Sequence, residues 1–461
     1  MTADIYRNGA KFLDVADETH RQYLDEPESD DGVDYSNGKP VAYHKHDPGR
    51  VVRTPLDGTT RIGVIGESGS GKTVGIKRYV SVAYDDGYAI MNGADAKNDF
   101  QDINRDSGIS KNLRNEMDAE LLDGERPHPV PVEMMQPLLL ANMYEKTCNE
   151  CDMDFRQDAS CPRCQSQNYR GGRPAYINAF SLRFSDLNKA EFQELVNVDG
   201  RQSEVLGQLI EDIGLYNTTF TAYMEALDRL KEEGDVPLGA ISSLKSTLRS
   251  LENRQVLNNR TNPLSRVFQQ LGESVVSLSI RNREELPDGS EFDKVVDLYI
   301  VKAMQEWIRR IRKGELQGED NLWIGDECHE FIPAGTNSKL LRVIGRMIHR
   351  DARQADMAMI FSTQQPSQLP NAESRDDENI LGSLTHCFIG KSRTALDESE
   401  WKTVLRSMNV YRGDRSELNR WRDKFARMDQ HDFIYINSED HMYAADCPIV
   451  QFFPPKCAHT G

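Results

Sequence analysis

Eight consecutive residues, Gly66-Glu67-Ser68-Gly69-Ser70-Gly71-Lys72-Thr73, constrain this chain more than any other feature, because they fit the pattern G-x-x-x-x-G-K-[ST]. They follow a short apolar run, Arg61–Ile65, and precede a segment with helical character, VGIKRYVSVAY. A strand, a glycine-rich turn and a helix N-terminus in that order make a phosphate cradle. Glycines let the backbone approach the anion, and successive N–H groups with the helix dipole hold it. In such a cradle Lys72 reaches the β- and γ-phosphates and the Thr73 hydroxyl ligates Mg²⁺. The expected ligand is ATP with Mg²⁺.

The cradle sits in an alternating chain. Strand-length apolar runs recur at Arg61–Ile65, Tyr88–Met91, Val275–Ile280, Leu322–Ile324 and Met357–Ser362, with helical patterns between them. Buried runs alternating with helices predict an α/β fold around a mainly parallel sheet. Residues 1–55 are polar and include the acidic, turn-rich run Glu26 to Gly38, which reads as an N-terminal arm. Residues 56–461 then form the ATPase core, with two insertions: a cysteine-bearing stretch at 140–172 and a helical one at 180–260. In the second, Leu206, Leu209, Ile210 and Ile213 recur at helical spacing. Another amphipathic helix is expected from Val295 to Lys313, its cationic last turn (Arg309, Arg310, Arg312, Lys313) matching the helix dipole.

Two further elements bear on hydrolysis. The strand Leu322-Trp-Ile-Gly ends in Asp326, placed to complete the Mg²⁺ site, and Glu327 follows where a carboxylate can polarise an attacking water. A nucleotide switch has no need of that second carboxylate. The strand from Met357 ends in Ser362-Thr363-Gln364, which makes Gln364 a sensor for the γ-phosphate. Upstream, Arg346, Arg350 and Arg353 are spaced four and three apart, as on one helix face. Arg350 and Arg353 are the candidates for stabilising transition-state charge in a neighbouring subunit.

With these elements in place, the sequence resembles the HerA–FtsK superfamily of hexameric DNA-pumping ATPases. The resemblance rests on the phosphate loop, Asp95-Ala-Lys97-Asn-Asp99-Phe100, Asp326-Glu327-Cys-His329-Glu330-Phe331-Ile-Pro333, and Arg353 followed by Ser362-Thr363-Gln364-Gln-Pro366, in the family's order from about residue 56 onward. It implies a RecA-like core, ring assembly and ATP bound between subunits. It also implies that Lys72, Thr73 and Asp326 hold nucleotide and Mg²⁺, that Glu327 is the catalytic carboxylate, and that Gln364 is the sensor. Arg353 aligns with the family's "GRK" arginine, although it stands here in Ala352-Arg353-Gln354. Only some sixty mostly polar residues precede the loop, without a β-barrel or membrane helices. That layout resembles viral genome-packaging ATPases most.

Of the eight cysteines, four form two knuckles: Cys148-Asn-Glu-Cys151 and Cys161-Pro-Arg-Cys164. Two C-x-x-C turns close a tetrahedral Zn²⁺ shell with no open position, so a structural zinc ribbon is expected. The others (Cys328, Cys387, Cys447, Cys457) lie scattered in apolar stretches, and with no secretory layout at the N-terminus this indicates a reducing, cytoplasmic setting, with virion association for a packaging motor. No apolar run approaches the roughly 20 residues of a membrane span.

The net charge of −18 argues at first against nucleic acid. Yet the 56 cationic residues divide into 37 Arg and 19 Lys, an acidic, Lys-poor balance that fits a salty cytoplasm, as in a halophilic archaeon or its virus. Overall charge then reports the solvent rather than the partner. The expectation is an ATP-driven double-stranded DNA translocase acting as a hexameric ring, a genome-packaging motor with a capsid, portal or membrane-vertex protein as partner. The alternatives are a conjugation or secretion ATPase, a HerA-like repair translocase, and an ATP-dependent adaptor that does not transport.

Overall fold

A computed structural model describes residues 38–457 apart from 48–49, 96–97, 105–127, 157–159, 199, 217, 235, 260–261, 270, 284–290, 317–319, 331, 333–342, 344, 371–378, 392–397, 412 and 442, and without the side chains of 291–294, 330 and 349. The chain divides into two compact units, one of Met1–Val132, Gln270–Ser277 and Gln305–Gly461, the other of Glu133–Gln269 and Leu278–Met304.

Among its described residues the first unit is built on ten strands: β1 (Lys39–His44), β2 (Val51–Thr54), β3 (Arg61–Ile65), β4 (Ala89–Asp95), β5 (Val275–Ser279, its last two residues counted with the second unit), β6 (Asn321–Gly325), β7 (Met357–Thr363), β8 (His386–Gly390), β9 (Phe433–Asn437) and β10 (Ile449–Phe452). Their order is β2-β1-β10-β9-β8-β3-β7-β6-β4-β5. The centre is parallel: β8 with β3, β3 with β7, β7 with β6, β6 with β4. Every residue of β3, β4, β6 and β7 is buried, which is why these strands read as continuous apolar runs rather than alternating ones. Because they run the same way, all their C-terminal ends share one edge.

The reading of 1–55 as an arm needs correction. Residues 1–37 lie outside the described set, but 39–44 and 51–54 are strands: β1 pairs antiparallel with β10 and with β2. The stretch looked like a lead-in because its basic residues and prolines interrupt a short apolar pattern. Val41, Ala42 and Val52 are nevertheless fully buried.

Helix α1 (Lys72–Asp85) follows the loop after β3. It packs closely against β10, so that a Cβ on Gly75 would come within 2.5 Å of the Phe452 ring. Lys77 on α1 donates to Asp102 Oδ1 at 2.6 Å, with both side chains almost fully buried. Removing one member of a buried pair strands the other's charge. Asp102→Ala is therefore expected to destabilise the chain by about 3–5 kcal/mol, read from the shift of its denaturant unfolding midpoint. An unchanged midpoint would contradict this.

In the second unit, Val132–Pro137 and Ile177–Phe180 form a parallel pair, and four helices follow at Lys189–Val196, Gly200–Ile213, Phe220–Glu233 and Leu238–Asn253. Their core is aromatic: Phe184 packs edge-on against Phe192 and Phe220 and stacks on Tyr223. The helix Glu291–Arg312 crosses the division. Within the second unit its Lys302 pairs with Glu191 at 2.6 Å and its Tyr299 packs on Phe180. Its cationic end is partly paired locally, since Arg309 and Arg310 both pair with Glu306. Between 146 and 171 a small three-stranded sheet (Lys146–Cys148, Asp154–Phe155, Tyr169–Gly171) carries the cysteines.

Candidate nucleotide site and cysteine cluster

The loop after β3 wraps as the motif requires. Gly69 and Gly71 have φ of +80° and +101°, conformations open to glycine and strained for side chains. Lys72, largely buried, donates to the carbonyl oxygens of Gly66 at 2.6 Å and Glu67 at 3.2 Å, so the ammonium lies over the loop that would hold the phosphates. Glu67 and Thr73 are half-buried, Ser68 is exposed and Ser70 is buried.

The acidic strand end lies on the same edge. Asp326 follows β6 and Glu327 takes φ +46°, a left-handed turn that swings consecutive carboxylates onto different paths. Both are almost fully buried. Burial, then the Glu327 charge, pushes the Asp326 carboxyl up to about 6, while the Lys72 ammonium pulls the other way. Gln364, just beyond β7, engages both oxygens of Glu327: its side-chain amide donates to Oε1 and its backbone N–H donates to Oε2 at 3.2 Å. Thr363 Oγ1 lies 2.9 Å from His329 Nδ1, which is 3.6 Å from Glu327 Oε2. Lys72, Asp326, Glu327 and Gln364 therefore share the edge that the sequence assigns them, and His329 joins them. Glu330, Phe331 and Pro333 fall where side chains lie outside the described residues.

One carboxylate was not given a role by the motif reading. Asp95 ends β4 beside β6 and is fully buried. It accepts the Ser277 hydroxyl at 2.9 Å and the backbone N–H groups of Asp99 at 3.0 Å and Phe100 at 3.3 Å. Burial and then the Asp326 charge raise its carboxyl to about 7. Only the sheet order reveals this neighbourhood, since 231 positions separate the two aspartates (326 − 95). The raised values fix a sign. Both groups hold protons more tightly when folded, so their contribution is complete below the ordinary carboxylate range and is lost as pH rises through about 6 and 7. The nucleotide-free chain is expected to melt at lower temperature as pH rises across that window, with Asp95→Asn flattening the decline. Parallel curves for wild type and variant would refute it.

Arg350 and Arg353 do not join this group within one chain. Both are exposed and precede β7, at the edge of the sheet opposite the phosphate loop. There the charge of Arg353 acts on Arg61, the buried first residue of β3. Arg61 donates to the carbonyls of Gly58, Thr60, Met357 and Ile348, tying the β3 entrance to a π-helical turn at Met347–Asp351. These arginines stand in helical turns, and acting on a nucleotide would require a second subunit.

The four knuckle cysteines converge, with their Sγ atoms all within 4.8 Å of one another. Cys148 to Cys164 and Cys151 to Cys161 are each 3.5 Å apart. A tetrahedron with Zn–S bonds of about 2.3 Å has edges of about 3.8 Å, so this donor set fits a tetrahedral ion. The two knuckles repeat one backbone design. Asp152 N–H bonds the Cys148 carbonyl and Gln165 N–H that of Cys161, while Cys148 N–H reaches Met153 and Cys161 N–H reaches Ser166. Asp152 and Gln165, each just after its second cysteine, are left-handed at φ +53° and +60°. None of the eight cysteines is in a disulfide.

Phosphate loop, acidic strand end and polar strand end on one edge of a mainly parallel sheet define a RecA-like P-loop fold. No family profile matches the sequence, and no curated protein does. Among solved structures, VirB4 of Thermoanaerobacter pseudethanolicus has this fold: TM-score 0.54 at 10% identity, covering 91% of this chain and 98% of that one. The bacterial conjugative coupling protein TrwBΔN70 gives TM-score 0.47 at 13% identity over 95% and 94% of the two chains. The genome-packaging NTPase B204 of Sulfolobus turreted icosahedral virus 2 gives 0.24 at 10% identity over 43% and 72%. The RecA-like P-loop fold expected from the sequence is thus also the fold of VirB4. Among the described residues no helix is long and apolar enough to cross a membrane.

Proposed function

We propose that this chain is an ATPase that moves double-stranded DNA through a ring of its own copies, in the manner of a genome-packaging motor. The observation that carries hydrolysis is the buried Glu327 held by Gln364 beside Asp326. A protein that only bound nucleotide would have no use for that carboxylate. ATP and Mg²⁺ would be held by Gly66–Thr73 and Asp326, and Mg²⁺ would neutralise charge developing on the phosphates. Lys72 would reach the β- and γ-phosphates, Glu327 would orient and deprotonate water, and Gln364 would report whether the γ-phosphate is present. Arg353 or Arg350 of a neighbouring subunit would complete the site, which is why a ring, most simply a hexamer, belongs to the reading. A structural Zn²⁺ would hold Cys148, Cys151, Cys161 and Cys164. A capsid, portal or membrane-vertex protein would be the docking partner.

The alternative reading is a conjugation- or secretion-type ATPase. Displacement of a third strand from a triplex-bearing duplex separates these readings. ATP-dependent displacement that stops with Lys72→Ala supports the translocase, and hydrolysis with no displacement from any duplex would sink it.

A further inference from the structure

The turn before β9 presses a histidine onto the phosphate loop. His431 Nδ1 lies 3.3 Å from the Ser70 carbonyl oxygen, and a Cβ on Gly71 would meet that nitrogen at 3.4 Å. The turn takes an unfavourable shape to do this. His431 has φ +73°, a region that suits glycine or asparagine better than histidine. Its neighbour Asp432 is fully buried and locks the turn from several sides. Asp432 accepts Lys45 Nζ at 2.5 Å, Gln451 Nε2 at 2.7 Å and the Asp429 N–H at 2.5 Å, and its own carbonyl accepts the Lys391 N–H at 3.1 Å. Tyr43 donates to Gln451 at 2.8 Å, and Lys45 also pairs with Asp429 at 2.6 Å. Residues on or next to β1, β8 and β10 thus hold one strained residue in place. Strain of this kind persists only where the surroundings over-determine it, and such residues gather at binding sites.

We propose that His431 is a positioning residue for the nucleotide. The Ser70–Gly71 peptide is planar and trans, so fixing its carbonyl on the imidazole fixes its N–H on the opposite side. Successive loop amides are what hold an anion in such a cradle. The Ser70 side chain cannot set this orientation, since its buried hydroxyl has no hydrogen-bond partner among the described residues. The inference rests on Gly66–Thr73 being the nucleotide site, and it adds that the strands flanking the parallel core tune that site through Asp432 and His431.

The test is equilibrium binding of a fluorescent ATP analogue, with thermal melting, for wild type, Lys72→Ala, His431→Gly and His431→Asn. His431→Gly relieves the strained backbone and removes the imidazole. It should melt no lower than wild type yet bind nucleotide about tenfold more weakly, as expected for a lost hydrogen bond. Asparagine tolerates the left-handed turn and keeps an amide donor, so His431→Asn should recover part of the affinity. Equal affinity in wild type and His431→Gly would overturn the proposal, as would weaker binding that merely tracked a lower melting temperature. If wild type bound no better than Lys72→Ala, the nucleotide site itself would be refuted instead.

Discussion

Replacing Glu327 by glutamine is expected to slow ATP hydrolysis by about 10²–10⁴-fold, the usual contribution of a general base, while nucleotide binding survives. The substitution keeps the size of the side chain, and its carbonyl oxygen can still accept from Gln364. What disappears is the capacity to take a proton from water. The left-handed turn at Glu327 and its burial mean that no other described carboxylate shares its position: Asp326 faces the Lys72 charge and Asp95 is tied to Ser277 and two backbone N–H groups. Phosphate release and binding of a fluorescent nucleotide, measured on the same preparation, provide the check. Wild-type turnover in the variant would remove Glu327 from the mechanism. Partner function that persisted after hydrolysis was lost would favour the adaptor reading.

A metal held by the cysteine cluster would have a large effect when lost, confined to one place. Among the described residues, the buried apolar cluster around these knuckles comprises Cys148, Phe155 and Cys161, with Cys151 and Met153 packed against it. That is too little to hold a three-stranded sheet of short strands. Zinc contributes about 10–16 kcal/mol to the folding of isolated zinc-finger peptides, far more than this cluster can supply. The isolated protein is expected to carry one zinc per chain by elemental analysis. Cys161→Ser should lose it, and protease cuts should appear between 146 and 171 while nucleotide binding is retained. A protein free of zinc after growth in zinc-supplemented medium, with this region still protected, would contradict the assignment.

How legible the site was depended on whether its parts are contiguous. The phosphate loop, the Asp326-Glu327 pair and the two cysteine knuckles are short patterns whose spacing states their chemistry, and the structure brings each set together. The core strands were readable because burial on both faces leaves uninterrupted apolar runs. Strands β1 and β2 were not, since a flanking hairpin with Lys39, Pro40 and Arg53 resembles a polar lead-in until it pairs with β10. The role of Asp95, although its segment stands among the motifs, and that of His431 were illegible for a different reason. Their meaning comes from the sheet order, which sets β4 beside β6 and the β9 turn beside the loop after β3. Arg350 and Arg353 show the converse: their spacing could be read, but the chain alone places them on the far edge.

The charge of −18 gains a definite form from the ring reading. A translocase needs positive charge only along its channel, and the rest of its surface can remain acidic. The cationic end of the helix Glu291–Arg312 is already occupied in part by Glu306 and Glu315, so it is a weak candidate for lining such a channel.

The most direct test of the central claim is the rate of ATP hydrolysis with double-stranded DNA, with single-stranded DNA and with neither. Double-stranded DNA is expected to stimulate the wild-type rate above the other two, and to leave Glu327→Gln inactive. A rate that responds to neither nucleic acid would contradict the translocase.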